Sequence, residues 1–600
     1  MAVSTALVER EPGTSGSRPG TRRVLVVALA LIALQVTIRG VLAFRGEFYW
    51  DDLILIGRAG TYPLSSPELL NYDHDGHLMP GAFAVASVVT WLAPMQWWPA
   101  ALTLVVAQLV ASLAVLRLLW LILGPRRVLW APLLFYLFSP LTLPAFAWWA
   151  AGLNSLPMQA ALAWVAGDAL QLARTGRRRH AVSGIVVTLC ASAFFEKSVL
   201  VPFVAFVTVA LLYRVDGVRR PLRVAWQRAH PLWLGSGVVL AVWAAWYTTV
   251  VASRFGVPPW SMVAGLTHHG LSYGLAPSLL GGPWQWDRWN PSPPWADPPL
   301  VLVVAAWVAV AGALVWSLRC RTRTGWVWIA ATAYVCASLV AMISTRFGPE
   351  TTYELAQTLR YFADSSVIVA VAAALVLRSA ERRPSGVRSR AVALACVVAF
   401  VVSSVWSTVT FARSWTDNPT GEYLATAMDA LTEHPQDPVL DHPVSVWVLL
   451  PVTYPHNLVG SVFSSLPGRS DISDHTTALS VLDDRGVLVP AELMPLRGVL
   501  PGPVPECGYA VTDDVVTPLL LNEPAGDWEW TVELHYMAAD DGAIDLGFPG
   551  RPRVSVPVTE GLGSVYVRIP GGGAALQVES ATPGLNVCIG GGSMGVVVPS

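Results

Sequence analysis

The stretch RVLVVALALIALQVTIRGVLAFRGEFYWDDLILIGRAG, residues 23–60, passes from a long apolar run into two adjacent acids. Residues 24–44 are about as long as a helix must be to cross the roughly 30 Å of hydrocarbon in a bilayer. Asp51 and Asp52 follow this run closely, in a chain of which only 13% of residues are charged. The stretch therefore predicts a membrane-spanning helix that leads into an acidic segment.

The composition of the whole chain is that of a membrane protein. Of its 600 residues, 54% are hydrophobic and 27 are Trp, and its 13% of charged residues compares with about 25% in soluble domains. The net charge of −1 gives no basic surface for phosphate backbones, so nucleic acid is excluded as a predicted partner. We predict a polytopic α-helical protein in the lipid bilayer of the cell (plasma) membrane.

Apolar runs of span length recur along the first two thirds of the chain. Residues 181–213 are predicted to form two short helices that meet at a tip carrying Glu196 and Lys197, with Pro202 starting the return leg. The stretch 80–98 breaks the alternation of sides and is interpreted as tilted or partly interfacial. About 11 spans are predicted in all. The long runs are 24–44, 99–123, 128–148, 155–173, 231–252, 300–318, 326–345, 364–379 and 391–411.

Arginine placement predicts the orientation of these spans. Cytoplasmic loops of membrane proteins carry an excess of Lys and Arg. Residues 1–23 are polar and are predicted to be a disordered cytoplasmic tail rather than a cleaved signal peptide. The loops 45–79 and 346–363 then lie outside, together with everything after residue 412. The basic loops assigned to the cytoplasm are 124–127, 174–180, 213–228, 319–325 and 378–390.

The chain changes character after Trp415. Short alternating segments separated by Gly, Pro, Asp and Asn turns predict β-strands. The predicted domains are a transmembrane domain at 24–411, a connector at 412–436 and an extracytoplasmic β-sandwich at 437–600, with carbohydrate binding as one interpretation. Cys507 and Cys588 lie in this exterior domain and are predicted to form a disulfide.

Motifs of soluble enzyme classes are missing from the sequence. It contains no GxxxxGK[ST], GxSxG or HExxH motif, so NTPase, serine hydrolase and zinc hydrolase chemistry are disfavoured. No cytoplasmic segment is long enough for a nucleotide-sugar domain, so a glycosyl donor would arrive through the membrane. A membrane glycan-binding or scaffold protein stays open as an alternative. A transporter is less favoured, because the charges cluster at the helix ends and no internal repeat is visible.

The order of four short motifs resembles the GT-C superfamily of polyprenyl-phosphate-sugar-dependent glycosyltransferases. These are WDDL after the first span, NYDHDGHLMPG before the next apolar stretch, FFEKSVLVP in the broken pair, and TLRYFADSS at the start of a late span. The resemblance covers roughly residues 24–411 as architecture. The β-domain is similar in placement to the carbohydrate-binding tails of actinobacterial arabinosyl- and mannosyltransferases. The resemblance implies an inverting glycosyltransferase with a polyprenyl-phosphate sugar donor and a cell-envelope glycan or protein acceptor.

The resemblance and the chemistry together suggest roles for individual residues. Asp51 or Asp52 would accept the proton of the acceptor hydroxyl, and Lys197 and Arg360 would hold the departing phosphate. The alternatives are a helix N-cap for one acid, a Glu196–Lys197 pair, and an interfacial anchor at Arg360 beside Tyr361.

Further residues near these motifs are predicted to bind substrate. They are Asp75, His77, Glu196 and Tyr361. The DHDGH segment around Asp75 and His77 also suits a solvated turn held by Asx hydrogen bonds. This segment leaves a divalent cation as an alternative cofactor, and no other cofactor is predicted.

The arginine distribution generates a prediction about topology. We expect the N-terminus and the 174–180 loop in the cytoplasm and residues 415–600 outside, because translocation of short basic loops is disfavoured. A pair of reporters fused after Ser600, one active only in the cytoplasm and one active only outside, measures the side. Activity of the cytoplasmic reporter alone would contradict the assignment.

Overall fold

A computed structural model describes residues 19–252, 256–348, 351–382, 387–433, 435, 438–512 and 515–600. The chain divides into two compact units, the first comprising Met1–Gly46, Leu70–Ala82 and Trp98–Thr416, and the second Glu47–Leu69, Phe83–Trp97 and Asp417–Ser600. Residues 1–18 of the predicted tail lie outside the described residues, and the first helix already begins at Pro19.

Helices make up nearly all of the first unit. The α-helices of the chain are α1 Pro19–Phe44, α2 Asp51–Thr61, α3 Pro67–Leu70, α4 Pro80–Leu92, α5 Trp98–Leu123, α6 Trp130–Phe138, α7 Leu143–Ala147, α8 Trp149–Thr175, α9 Arg179–Ser192, α10 Val201–Val215, α11 Pro221–Val250, α12 Trp260–His268, α13 Ala276–Ser278, α14 Leu300–Cys320, α15 Gly325–Thr345, α16 Ser365–Arg378, α17 Val387–Thr416, α18 Thr420–Glu433 and α19 Val459–Val462. Short 3₁₀-helices lie at Arg127–Leu129, Pro140–Thr142, Glu196–Leu200, Tyr353–Gln357, Arg360–Phe362 and Pro451–Thr453, and a π-helix at His269–Leu275.

Most strands belong to the C-terminal part of the second unit. They are β1 Asp73–His74, β2 His77–Leu78, β3 Trp286–Asp287, β4 Trp295–Ala296, β5 Val439–Leu440, β6 Ile472–Ser473, β7 His475–Thr476, β8 Ser480–Leu482, β9 Leu488–Gly498, β10 Tyr509–Val511, β11 Thr517–Ala538, β12 Gly542–Gly547, β13 Val554–Val558, β14 Gly561–Ser580 and β15 Val587–Pro599.

The predicted architecture, a polytopic helical membrane protein with a C-terminal β-domain, is confirmed. Among the described residues, eight helices are long and apolar enough to cross a membrane, or nine if the bent pair Arg127–Phe138 and Pro140–Ala147 is one span. This is fewer than the roughly 11 predicted from sequence. The difference has a physical reason, because α8 includes polar residues such as Asp168 and α9 is only 14 residues long.

Two irregular segments interrupt the series of long helices. Residues 181–213 form α9 and α10 on either side of the 3₁₀-helix that carries Glu196 and Lys197. Pro202 lies in the first turn of α10, where its missing N–H costs no helical hydrogen bond. The stretch 80–98 contains α4, which at 13 residues is shorter than a span.

The first unit has a buried core and a wide apolar exterior. Its core is formed mainly by α5, α6, α8, α10 and α16, which bury Ala, Leu and Val side chains against one another. In contrast, only 17% of the apolar window of α14 is buried, and large side chains such as Val308 and Trp316 are exposed. Exposed apolar helices are the expected surface toward lipid.

The C-terminal β-domain is one hydrogen-bonded sheet of nine strands among the described residues. Its main path runs β13-β12-β14-β11-β15-β9-β8, and β10 and β7 pair with β15 and β14. Register shifts interrupt the β11–β14 pair between Leu520 and Trp528, and such bulges bend strands. The bent strands enclose a core that includes Val532, Val567 and Ile589.

The predicted disulfide is confirmed. Cys507 and Cys588 are bonded, with their Cα atoms 4.8 Å apart. Tyr509–Val511 pairs in antiparallel register with Val587–Ile589, so the bond ties the loop before β10 to the strand beside it.

A buried histidine in the second unit connects two segments of the β-domain. Nδ1 of His442 lies 2.7 Å from the Leu440 carbonyl oxygen, and the Leu482 N–H donates to Nε2 over 2.9 Å. The carbonyl can only accept and the N–H can only donate, so the proton of the neutral ring is on Nδ1. Burial lowers the pKa of His442 below its ordinary value.

This histidine makes the stability of the β-domain pH-dependent. Its depressed pKa means that its contribution is complete above about pH 6.5, the unfolded value, and is lost as the pH falls from there. In the full-length protein we expect faster hydrogen exchange at Leu482 and its neighbours at pH 5 than at pH 7.5, after correction for intrinsic rates. The variant His442→Gln should show a smaller difference. An equal pH dependence in both proteins would contradict the assignment.

Candidate functional site

Six of the eight predicted site residues lie in the first unit and two in the second. Those of the first unit are Asp75, His77, Glu196, Lys197, Arg360 and Tyr361, and those of the second are Asp51 and Asp52.

The DHDGH segment forms a short β-hairpin with a two-residue turn. Strands β1 and β2 pair His74 with His77, and the turn residues Asp75 and Gly76 have φ of 52° and 86°. Positive φ at both central residues is the type I′ signature that the Asp-Gly pair favours. The Gly76 N–H donates to Oδ1 of Asp73 over 2.7 Å, so the Asx hydrogen bond of the turn interpretation is present.

This hairpin places the ring of His77 between the carboxylate of Glu196 and the guanidinium of Arg346. Nδ1 of His77 lies 2.9 Å from Oε1 of Glu196, and Nη2 of Arg346 lies 2.6 Å from Nε2. A guanidinium can only donate, so Nε2 accepts a hydrogen bond from Arg346, and the Nδ1–H donates a hydrogen bond to Oε1 of Glu196. Arg346 also lies 3.6 Å from the carboxylate of Asp75. Arg346, which sequence reasoning had not selected, thus joins His77 to Asp75, and His77 in turn contacts Glu196.

Glu196 has one oxygen that its protein neighbours do not satisfy. Its Oε2 is buried and has no hydrogen-bond partner among the described residues. A buried carboxylate oxygen without a donor costs free energy. A hydroxyl or other donor from a ligand would remove this cost.

Lys197 does not pair with its neighbour Glu196. Its Nζ lies 2.9 and 2.8 Å from Oδ1 and Oδ2 of Asp364, and 3.1 Å from the Tyr361 carbonyl oxygen. The side chains of Lys197 and Asp364 are 10% and 5% exposed. The alternative of a weak surface pair at the helix end is therefore wrong.

Arg360 lies between two aromatic rings. Its guanidinium carbon is 4.4 Å from the ring centroid of Trp148 and 5.0 Å from that of Tyr361. Nη2 donates to the Tyr361 hydroxyl over 3.0 Å. No carboxylate is within ion-pair distance of Arg360 in the described parts of the chain. Among the described residues, no carboxylate therefore compensates the positive charge of Arg360.

A π-helix and two glycines place the segment that carries Arg360. A β-carbon at Gly265 would lie 2.5 Å from the ring of Tyr353, and one at Gly274 would lie 2.9 Å from Leu359. Only glycine permits both close approaches. His269, in the π-helix, contacts Oε1 of Gln357 through Nδ1 over 2.5 Å and so holds the same segment. Irregular π turns often occur at functional sites.

The two acids of the second unit have different surroundings. The Tyr49 N–H donates to Oδ2 of Asp52 over 3.0 Å, and the Asp52 N–H donates back to the Tyr49 carbonyl. Asp52 is fully buried, whereas Asp51 is partly exposed. Between Tyr49 and Asp51, Trp50 has φ of 48°, a strained value for a bulky residue. Asp52 closes the turn that starts α2, and Asp51 is the acid on its accessible side.

The divalent-cation alternative gains no support from donor placement. Within the described residues, no three His, Cys, Asp or Glu side chains are placed to hold a metal ion.

The residues that sequence reasoning missed are Asp364, Tyr334, Arg346 and Trp148. Asp364 stood in the quoted TLRYFADSS motif, but its partner Lys197 is 167 residues away and no local pattern links them.

Comparisons with known proteins identify a fold neighbour but no family. No protein-family model and no curated protein matches the chain. The structure is similar to those of ArnT from Cupriavidus metallidurans, in the apo state at TM-score 0.40 and 11% identity, and bound to undecaprenyl phosphate at 0.39 and 12%. The first match covers 75% of this chain and 86% of ArnT, the second 74% and 89%. At this distance the likeness does not bear on activity.

The contact between His77 and Glu196 predicts a specific pattern of energetic coupling. Residues in contact show non-additive effects of about 0.5–3 kcal/mol, whereas sites more than about 7–10 Å apart without shared partners are additive. We expect the thermal stabilities of the Ala variants of His77 and Glu196 to be non-additive in the double variant. The same cycle for Glu196 and Asp216, which flank opposite ends of α10, is the matched control and should be additive. Coupling in the control but not in the first cycle would contradict the described contacts.

Proposed function

We propose that the protein is an integral membrane glycosyltransferase that moves a sugar from a polyprenyl-phosphate donor to a cell-envelope acceptor on the outer face. The observation that carries the proposal is the meeting of Lys197 and Arg360 at Tyr361, through its carbonyl and its hydroxyl respectively. Two cationic side chains that contact the same residue can together stabilise the negative charge of a leaving phosphate. The motif order that resembles the GT-C superfamily supports the same reaction class.

The two cations would contribute differently to phosphate binding. Arg360 has no carboxylate partner in the described residues and a planar fork of donors, which suits a phosphate. Lys197 is already paired with Asp364 and would supply an oriented N–H rather than net charge. The polyprenyl chain would stay in the bilayer beside the apolar exterior of the first unit.

Asp75, His77 and Glu196 would bind the sugar. Oε2 of Glu196 needs a donor, and hydroxyl groups of a sugar are donors. Arg346 and Glu196 hold His77 in one tautomer, and Arg346 contacts Asp75. We infer that Asp75, His77 and Glu196 act as one hydrogen-bonding surface, fixed from the side by Arg346.

Asp51 is our choice for the general base. An inverting transfer needs a carboxylate that takes the acceptor proton as its oxygen attacks the anomeric carbon from the face opposite the phosphate. Asp52 is buried and bonded to the Tyr49 N–H, so it suits the structural role. The strained Trp50 between them fits the tendency of backbone strain to occur at active sites.

The β-domain would contact the acceptor. Its disulfide suits an oxidising exterior, and we propose that it binds the cell-envelope glycan or protein that receives the sugar.

The reaction itself is tested with purified full-length protein in lipid nanodiscs and a panel of polyprenyl-phosphate sugars. Release of polyprenyl phosphate together with glycosylation of an envelope extract, followed by mass spectrometry, supports the proposal. Binding of the lipids without any transfer across the panel would instead support the glycan-binding alternative.

The role of Asp51 predicts the outcome for its variants. Asp51→Asn should lower the transfer rate by about 10²–10⁴, because a general base is lost. Asp52→Asn keeps an oxygen for the Tyr49 N–H and should reduce transfer far less. Asp287→Asn, at an exposed acid of the first unit that the proposed site does not use, is a control for expression and charge. Transfer at near wild-type rates by both single variants and by the double variant would show that the acids only start α2.

A further inference from the structure

Lys197 is held by a small polar assembly that the proposed reaction does not by itself require. Asp364 contacts its Nζ with both carboxylate oxygens, at 2.9 and 2.8 Å. The hydroxyl of Tyr334, in α15, donates to Oδ2 of the same carboxylate. The ring of Tyr334 lies 5.7 Å from Nζ. The assembly thus joins α15, the residue before α16 and the 3₁₀-helix that precedes α10.

The burial of this assembly makes the pairing obligatory. Asp364 and Tyr334 are 3% and 7% exposed, and Lys197 lies at the start of a candidate span. Removing one partner of a buried ion pair leaves the other charge uncompensated. Asp364 and Tyr334 are the titratable side chains in contact with Lys197 in the described part of the chain. Asp364 therefore supplies the opposite charge that the buried ammonium of Lys197 needs.

The contacts also fix the direction of the ammonium group. A lysine has three N–H donors on a flexible stem of four carbons. When the two carboxylate oxygens share one donor and the Tyr361 carbonyl takes another, one N–H is left, and its direction is set by the first two. A flexible side chain ordered in advance loses less entropy when it binds a ligand.

We propose that Asp364, supported by Tyr334, is a positioning residue that aims the remaining N–H of Lys197 at the phosphate of the polyprenyl lipid. This inference rests on the proposed function and adds to it a residue that acts only through Lys197. Asp364 takes no proton from the substrates and makes no bond in the reaction. Its negative charge alone would repel the phosphate, so its benefit exists only while Lys197 is present.

This dependence gives a signature that a structural role lacks. With Lys197 present, Asp364→Asn releases the ammonium and should weaken the binding of undecaprenyl phosphate by about tenfold. In the Lys197→Met background the same change removes a repulsive charge and should leave the affinity unchanged or increase it. A merely structural role would weaken binding equally in both backgrounds.

The experiment uses the full-length protein in nanodiscs and two probes, undecaprenyl phosphate and the neutral alcohol undecaprenol. Dissociation constants are measured for the wild type, Asp364→Asn, Asp364→Glu, Lys197→Met, Arg360→Met and the double variant Lys197→Met with Asp364→Asn. We expect the tenfold loss of Asp364→Asn for the phosphate only, partial rescue by Asp364→Glu, and no further loss in the double variant. Should the amide prevent folding, Asp364→Ser, a smaller neutral residue, is compared in the same way.

The outcomes separate this inference from the proposed function. One outcome contradicts both the proposed phosphate site and this inference. It is that the wild-type protein binds undecaprenyl phosphate no better than undecaprenol, and that Lys197→Met and Arg360→Met leave both dissociation constants unchanged. If Lys197→Met weakens the phosphate lipid but Asp364→Asn binds like the wild type, or weakens both lipids alike, only the role of Asp364 falls.

Discussion

The constraint on which the first unit depends is that a buried charge must be paired. A protein interior offers little water to an ammonium or a carboxylate, so such groups are costly unless they meet a partner. The pair between Lys197 and Asp364 satisfies this requirement where two regular helices begin, α10 and α16. Both residues lie at or beside short 3₁₀-helices, whose irregular backbone lets a side chain and a carbonyl reach the same ammonium.

The same constraint explains why Arg360 is unusual. It has aromatic rings on two sides and a tyrosine hydroxyl, but no carboxylate partner in the described residues. Aromatic faces stabilise a cation without neutralising it. Among the described residues, one compensated and one uncompensated cation therefore contact Tyr361, an arrangement suited to an anion that must bind and later leave.

Sequence reasoning predicted the features that depend on local composition. Apolar length located most helices to within a few residues, and Pro202 marked the start of α10, because hydrophobicity and proline act within one turn. Among the described residues, eight or nine helices are long and apolar enough to span, against about 11 predicted, since α8 combines span length with polar residues. Among the site residues, the pattern identified Lys197 and His77, but not Asp364 and Arg346, which are 167 and 269 residues from them. Such partners are set by helix packing, which periodicity does not encode.

The central claim is that Lys197 and Arg360 together receive the phosphate of a polyprenyl lipid. The most direct test is a cryo-electron microscopy structure of the full-length protein in nanodiscs with undecaprenyl phosphate. The account predicts phosphate density in contact with both Nζ of Lys197 and the guanidinium of Arg360, within about 4 Å of each. Density for the lipid phosphate elsewhere, with Arg360 still against Trp148 and Tyr361 and no ligand beside it, would contradict the claim.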